Sequence, residues 1–219
     1  MSHYSVIAID GPAASGKSTV ARTLARKLAF LYVNSGAFYR STTWFVLQQN
    51  VDSEDEPAVE ACLHQASVET RIEDDQGILL LNGQDLAGEI HRPEVNQNVS
   101  QISKIGGVRE ILTTQLRSFA DQQNLVMEGR DIGSSVFPKT PYKFYIDASP
   151  EVRAQRRAAQ GQTDDLAERD RIDSQRVRAP LTIAEDAQVI DSSRLTVDGV
   201  VGEIIGRLKQ TTLHLPSHL

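Results

Sequence analysis

Residues 11–18 read Gly-Pro-Ala-Ala-Ser-Gly-Lys-Ser, the G-x-x-x-x-G-K-[ST] spacing that cradles a phosphate in backbone N–H groups. Gly11 and Gly16 supply backbone angles that other residues rarely adopt, turning successive amides toward one anion. A helix beginning near Lys17 adds its positive N-terminal end. The Lys17 ammonium would reach the β- and γ-phosphates, and the Ser18 hydroxyl would bind Mg²⁺. The apolar run Val6-Ile7-Ala8-Ile9, ending at Asp10, is the strand that such a loop follows. Gly11, Pro12, Ala13, Ala14, Ser15, Gly16, Lys17, Ser18 and Thr19 are therefore the candidate binders of a nucleoside triphosphate, with Mg²⁺ at Ser18.

A phosphate loop alone serves motors, GTP switches and small-molecule kinases. The N-K-x-D motif that a GTP switch uses to read its base is absent from the sequence. A second set of anion binders favours a kinase. Ser35, expected to cap a helix, and Arg40, one turn in, make one such group. Gly129-Arg130-Asp131 follows a buried strand, and ligands of parallel sheets gather at the carboxyl ends of strands. Arg153, Arg156 and Arg157 share one expected helix; Arg169, Arg171, Asp173, Arg176 and Arg178 share the next. Arg153 and Arg157 fall on one face, as do Arg169, Asp173 and Arg176. A plain reading makes these a solvated helix pair laced by surface bridges of under about 1 kcal/mol each. The excess of arginine over acid instead predicts cations left over for phosphates, under a closing lid.

The elements that must hold these residues alternate. Helical spacing covers Ser18–Ala29, Ala37–Gln49, about Glu56–Gln65 and Glu94–Phe119, the last broken near Gly106-Gly107. Apolar strands are expected at Val6–Ile9, Phe30–Val33, Leu125–Met127, Lys143–Ile146 and Gln188–Ile190, and a terminal helix at Val197–Leu208. The pattern predicts an α/β fold: a five-stranded parallel sheet flanked by helices. Between residues 67 and 87 the texture changes to short strands divided by Asp74-Asp75-Gln76-Gly77 and Asn82-Gly83, a small antiparallel insertion. The 219 residues then form one unit. Its core is 1–60, 105–150 and 179–219, with an insertion at about 61–104 and a helical lid at about 151–178.

A formal charge of −6 argues against a nucleic-acid polymer as partner, so cations for an anionic ligand must be concentrated locally. Arginines outnumber lysines about threefold, the bias expected where forked phosphate contacts are needed. Cys62 is the only cysteine, which excludes an intrachain disulfide and a cysteine metal site. With no apolar stretch long enough for a bilayer and no secretory leader, a cytoplasmic monomer acting on small molecules is expected.

Read together, IDGPAASGKST, NSGAFYR, EVNQNVSQIS, EGRDIG and ERDRIDSQRVRAPL resemble the bacterial cytidylate kinases, a branch of the nucleoside monophosphate kinases, in consistent order from about Ile7 to Asp191. The resemblance implies phosphoryl transfer from ATP to CMP, and to dCMP, with Mg²⁺. It implies that Ser35, Arg40, Arg130 and Arg169 hold or adjoin the acceptor phosphate, and that Ser100, Arg109, Asp131 and Arg176 face cytosine. Arg169 and Asp173 would hold the sugar hydroxyls, and Arg153 and Arg157 would be lid arginines near the transferred group. The chain departs from the pattern at Asn34, where Asp is usual, at His91, where Arg is common, and in a shorter segment between Arg157 and Arg169. Rival readings are a kinase of UMP, AMP or a non-nucleotide alcohol, and a non-catalytic nucleotide-binding regulator. Lys17→Ala is expected to collapse turnover with every acceptor, and an unchanged kcat would refute the phosphate-loop reading.

Overall fold

The computed structural model describes residues 4–159, 161 and 166–217, and of Arg169 the helical backbone alone. Strand β1 (Val6–Asp10) runs into the phosphate loop and then helix α1 (Lys17–Leu28), followed by β2 (Leu31–Asn34), α2 (Ser35–Gln48) and α3 (Glu56–His64). Strands β3 (Val68–Glu73), β4 (Gln76–Leu81) and β5 (Gln84–Asp85) form the insertion, and α4 (Pro93–Ile102) and α5 (Gly106–Ser118) return to the core. Then come β6 (Leu125–Gly129), β7 (Tyr142–Asp147), α6 (Pro150–Ala159), α7 (Leu166–Ser174), β8 (Gln188–Asp191) and α8 (Val197–Leu208).

The five expected parallel strands are present in the order β2-β6-β1-β7-β8. The sheet is larger than the sequence predicts, with eight strands in one surface. The insertion is fused to it: β4 pairs parallel with β2 through Tyr32–Gln76 and Val33–Gly77, while β3 and β5 run antiparallel to β4. Alternation along the strands divides the core. Ile7, Ile9, Val126 and Phe144 meet α1 and α8 on one face, whereas Val6, Ala8, Leu125 and Met127 meet α2 to α5 on the other.

Local chemistry sets the element ends. In α1, Val20, Leu24 and Leu28 recur every fourth position with Ala21 and Ala25 beside them, and all are buried. Helix α2 begins two residues before its expected start, because Asn34 rather than Ser35 is its N-cap: the Asn34 side chain accepts from Ala37 N at 3.0 Å. Helix α3 starts at Glu56, as expected, where the Asp55 side chain caps it by accepting from Ala58 N at 3.1 Å. Helix α7 ends at Ser174, so Arg176 and Arg178 lie beyond it and the expected shared helical face is lost.

Phe119, wholly buried, stands edge-on to Phe38 with ring centroids 6.0 Å apart. It fills the place where a side chain at Gly77 would go, since a Cβ there would lie 2.7 Å from Phe119 Cζ and 3.0 Å from Val33 Cγ2. Gly77→Ala is therefore expected to lower stability by about 1–3 kcal/mol through overpacking. Thermal melting would show it, and an unchanged Tm would refute the tight seam between insertion and sheet.

Candidate active site

The carboxyl ends of the parallel strands open into one cleft of about 1130 Å³ that runs from the phosphate loop past Asn34 and Arg40 to Asp131 and Arg176. That exceeds the roughly 300–1,000 Å³ of a single small-ligand pocket, so there is room for a donor and an acceptor together.

At the donor end, Gly11 has φ +153° and packs so closely on β7 that a Cβ would stand 2.1 Å from the Ile146 carbonyl oxygen. Gly16 has φ +90°, and Ala14 also takes a left-handed angle, φ +59°. Lys17 is buried and donates from Nζ to the Pro12 carbonyl at 3.0 Å, which holds the ammonium against the loop. The loop is braced from behind by Arg156, a residue to which the sequence assigned only a helix. Its Nη1 donates to the Ser15 carbonyl (3.0 Å) and Nη2 to that of Ser192 (2.8 Å), and the Ser192 hydroxyl donates to the same Ser15 carbonyl (2.8 Å). From the lid side, Arg153 donates to the Ala13 carbonyl at 3.3 Å and pairs with Asp170. Asp170 in turn accepts from Ala13 N at 3.1 Å, so the peptide groups on either side of Ala13 are both held.

At the acceptor end a buried array of alternating charge replaces the unpaired arginines that the sequence predicts. Arg109 pairs with Asp131 and donates to the Ser103 carbonyl at 3.0 Å. Asp173 accepts from Arg130 Nε at 2.9 Å and also pairs with Arg176, whose Nη2 donates to the Ser103 hydroxyl at 2.7 Å. Further out, Arg171 pairs with Glu168 and Arg178 with Glu110. Most of these partners lie on α7 itself: Asp170, Glu168 and Asp173 take Arg153, Arg171 and Arg176, and Arg178 finds its acid, Glu110, on another element. Burial dictates the pairing: a guanidinium out of water needs a compensating charge.

Electrostatics follow the same logic. Burial pushes Asp131 above the usual carboxylate range, while Arg109 and Arg176 draw it back. Burial also weakens the charged form of Arg176, and its value falls despite Asp173. For Arg130 burial acts in the same direction, yet Asp173 and Asp170 outweigh it and raise the guanidinium above its ordinary value. Next to this array, Arg40 donates to the Ile90 carbonyl (3.1 Å) and to Asn96 Oδ1 (2.5 Å). Partial burial lowers His91, and the positive charges of Arg40 and Arg157 lower it further, so three basic side chains converge beside the cleft.

Of the residues read from sequence, Gly11, Pro12, Ala13, Ala14, Ser15 and Gly16 form the turn between β1 and α1, and Lys17, Ser18 and Thr19 open α1. Ser100 is buried and lines the cleft with Ser35, Arg40, Arg130, Asp131, Arg157, Asp173 and Arg176. Ser35 donates its hydroxyl to the Glu128 carbonyl at 2.8 Å, across a glycine whose Cβ would lie 2.4 Å from Ser35 Oγ. The side chain of Arg169 lies outside the described residues, as do residues 160 and 162–165 of the segment that the sequence suggests is short. Sequence reading passed over Ser103, Asp170 and Arg156. Ser103 sits three residues after Ser100 in the same block, and Asp170 lies inside ERDR, so both signals were present but the arginines drew the reading.

A phosphate loop at the end of the middle parallel strand, with a buried cationic array across one cleft, defines a phosphate-loop phosphotransferase with two anionic substrates. Among solved structures, thymidylate kinase from Candida albicans shares this fold, with a TM-score of 0.50 at 13% identity over 94% of this chain and 92% of that one. The sequence model of the cytidylate kinase family matches residues 7–210. A cytidylate kinase from Desulforamulus reducens is 44% identical over 216 residues, 94% of this chain and 97% of its own length. One from Geobacillus sp. is 41% identical over 210 residues, 91% of this chain and 94% of its own. The chain belongs to the cytidylate kinase family and is thereby a nucleoside monophosphate kinase.

Asp173 holds two guanidiniums at once, so its loss strands both. Asp173→Ala is expected to raise KM for the acceptor at least about tenfold, as removal of one partner of a buried pair does, with KM for ATP within about threefold. Equal rises in both constants would mean that Asp173 braces the whole cleft.

Proposed function

We propose that the chain transfers the γ-phosphoryl group of ATP to CMP, and also to dCMP, yielding ADP and CDP or dCDP. The observation that carries this reading is Asp131, a buried carboxylate fixed by Arg109 that lines the cleft just past the strand end beside the phosphate loop. A carboxylate there accepts from the N4 amino group of cytosine, worth about 1–3 kcal/mol against a base lacking that donor. Uracil would present a carbonyl to it, leaving two acceptors face to face.

In this reading the loop amides and Lys17 hold the ATP phosphates. Arg40, Arg130 and Arg169, with Ser35, surround the acceptor phosphate. Ser100, Arg109 and Arg176 frame the base with Asp131, and Asp173 meets the sugar. Arg153 and Arg157 approach from the lid, toward the phosphoryl group in flight. Such a group passes through a loose transition state with charge spread over its equatorial oxygens, so positioning and cationic neutralisation supply most of the rate. The acceptor phosphate is already ionised, and no dedicated base is needed.

The residues present fit Mg²⁺. No group of three or more His, Cys, Asp or Glu among the described residues gathers into a protein-only metal cage. Ser18 and the buried carboxylate of Glu128, next to last in β6, both line the cleft. A hydroxyl and one carboxylate, completed by phosphate oxygens and water, suit this hard cation. When bound, Mg²⁺ would neutralise and orient the ATP phosphates. Glu128 opens the EGRDIG block, to which the sequence attaches no metal role. No helix among the described residues is long and apolar enough to cross a membrane. The working form we infer is a cytoplasmic monomer that meets small nucleotides and no nucleic-acid polymer.

An acceptor screen with the purified protein, ATP and Mg²⁺ tests the assignment. CMP and dCMP should turn over, with UMP and AMP at least about tenfold lower in kcat/KM. Asp131→Ala should erase most of that preference while leaving KM for ATP within about threefold. Turnover of another acceptor alone would overturn the base assignment; ATP binding with no ADP from any acceptor would make the protein a regulator.

A further inference from the structure

Asp10 is the last residue of β1 and lies just ahead of the phosphate-loop motif, which begins at Gly11. Its side chain is buried, and both carboxylate oxygens are used. Oδ1 accepts from Ile132 N and Oδ2 from Gly133 N, each at 2.8 Å. Those two consecutive amides open the single π turn Ile132–Val136, which comes directly after Arg130-Asp131. A connection runs the other way as well, since Arg130 Nη1 donates to the Gly11 carbonyl at 3.1 Å. The β1–β6 ladder pairs residues only as far as Asp10 with Gly129. Beyond that point the donor loop and the acceptor arm are separate excursions of the chain, and these three side-chain contacts cross between them.

We propose that Asp10 is a positioning residue that fixes Arg130 and Asp131, and with them the acceptor, in register with the phosphate loop. Only a carboxylate of this length accepts from both amides. An asparagine offers one oxygen and turns an NH₂ group toward the other N–H donor. The site also lacks room for a looser arrangement. A Cβ on Gly133 would stand 3.1 Å from Lys143 Cγ and Cδ and 3.4 Å from Asp10 Oδ2, so the turn lies wedged between Asp10 and the Lys143 stem. Keeping a carboxylate here is costly. Burial pushes Asp10 up to about 7 against the pull of the two amides, with Asp131 adding to the rise and Lys17 opposing it. A group this expensive to bury, with both oxygens aimed at one turn, is better accounted for by placement of that turn than by core stability.

The inference rests on Arg130 and Asp131 serving the acceptor, as proposed above. The test is steady-state kinetics of Asp10→Asn and Asp10→Ser, using whichever nucleoside monophosphate the parent protein phosphorylates best, alongside ATP titration and thermal melting. A misplacement of about 1 Å at reacting groups costs about 100-fold, so kcat is expected to fall about 10–100-fold. KM for the acceptor should rise at least about fivefold, while ATP binding stays within about threefold of the parent. A lower Tm with kcat and acceptor KM per folded molecule unchanged would overturn the proposal, leaving Asp10 a scaffold residue. Loss of ATP binding, or of the folded state in both variants, would also overturn it, by making Asp10 a support of the phosphate loop itself. Failure of CMP as an acceptor in the parent protein would instead strike the base assignment and leave the Asp10 comparison readable on the acceptor that works.

Discussion

The parallel pairing of β1 with β6 is the constraint on which the rest of the site depends. It sets Ile9 opposite Glu128 and Asp10 opposite Gly129, so the phosphate loop and the Gly129-Arg130-Asp131 arm leave the sheet side by side. Neighbouring strands lie about 4.8 Å apart, a spacing fixed by backbone hydrogen bonds rather than by any side chain. Two phosphates that must meet in line can therefore be held from adjacent strand ends. Gly11, packed against the Ile146 carbonyl, and Gly129, packed against Ser35 Oγ, are the points at which this closeness leaves no space for a Cβ.

The second constraint is charge. A chain of formal charge −6 has to collect anions, and it does so by concentrating arginine in one cleft. Buried guanidiniums need partners of their own, and Asp131, Asp170 and Asp173 serve that need. The acids set orientation as well. Asp173 stands between Arg130 and Arg176, and Asp131 is pinned by Arg109, so each donor fork points along a fixed line before a substrate arrives. Preorganisation of this kind lowers the reorganisation needed in the transition state.

The donor half was legible in the sequence because its chemistry is local: a strand, a glycine turn, a lysine and a helix in one unbroken run from Val6 to Leu28. The acceptor half was legible only as a set of residues. Its members come from α2, α4, α5, β6, α7 and the segment after α7, and nothing in their spacing tells which carboxylate meets which arginine. The expectation of unpaired arginines failed because one acid can reach across elements: Asp170 of α7 meets Arg153 of α6, Asp173 meets Arg130 and Arg176, and Glu110 of α5 meets Arg178. Ser35 was read as a cap because serine commonly is one, whereas Asn34 one residue earlier has the side chain that reaches Ala37 N. The insertion was recognised from Asn82-Gly83 and its alternation. Its union with the main sheet could not be, because the β2–β4 pairing spans only two residue pairs, brought together across about forty residues of chain.

That union has a mechanical consequence. Six antiparallel pairs tie β3 to β4, and two pairs each tie β5 to β4 and β4 to β2, so the insertion is attached through backbone ladders. Helices α6 and α7 are joined to the phosphate loop by single side-chain contacts, Arg153 and Asp170 to Ala13 and Arg156 to Ser15, which can release one after another. The two sides of the cleft are thus held differently: one by backbone ladders, the other by side chains alone.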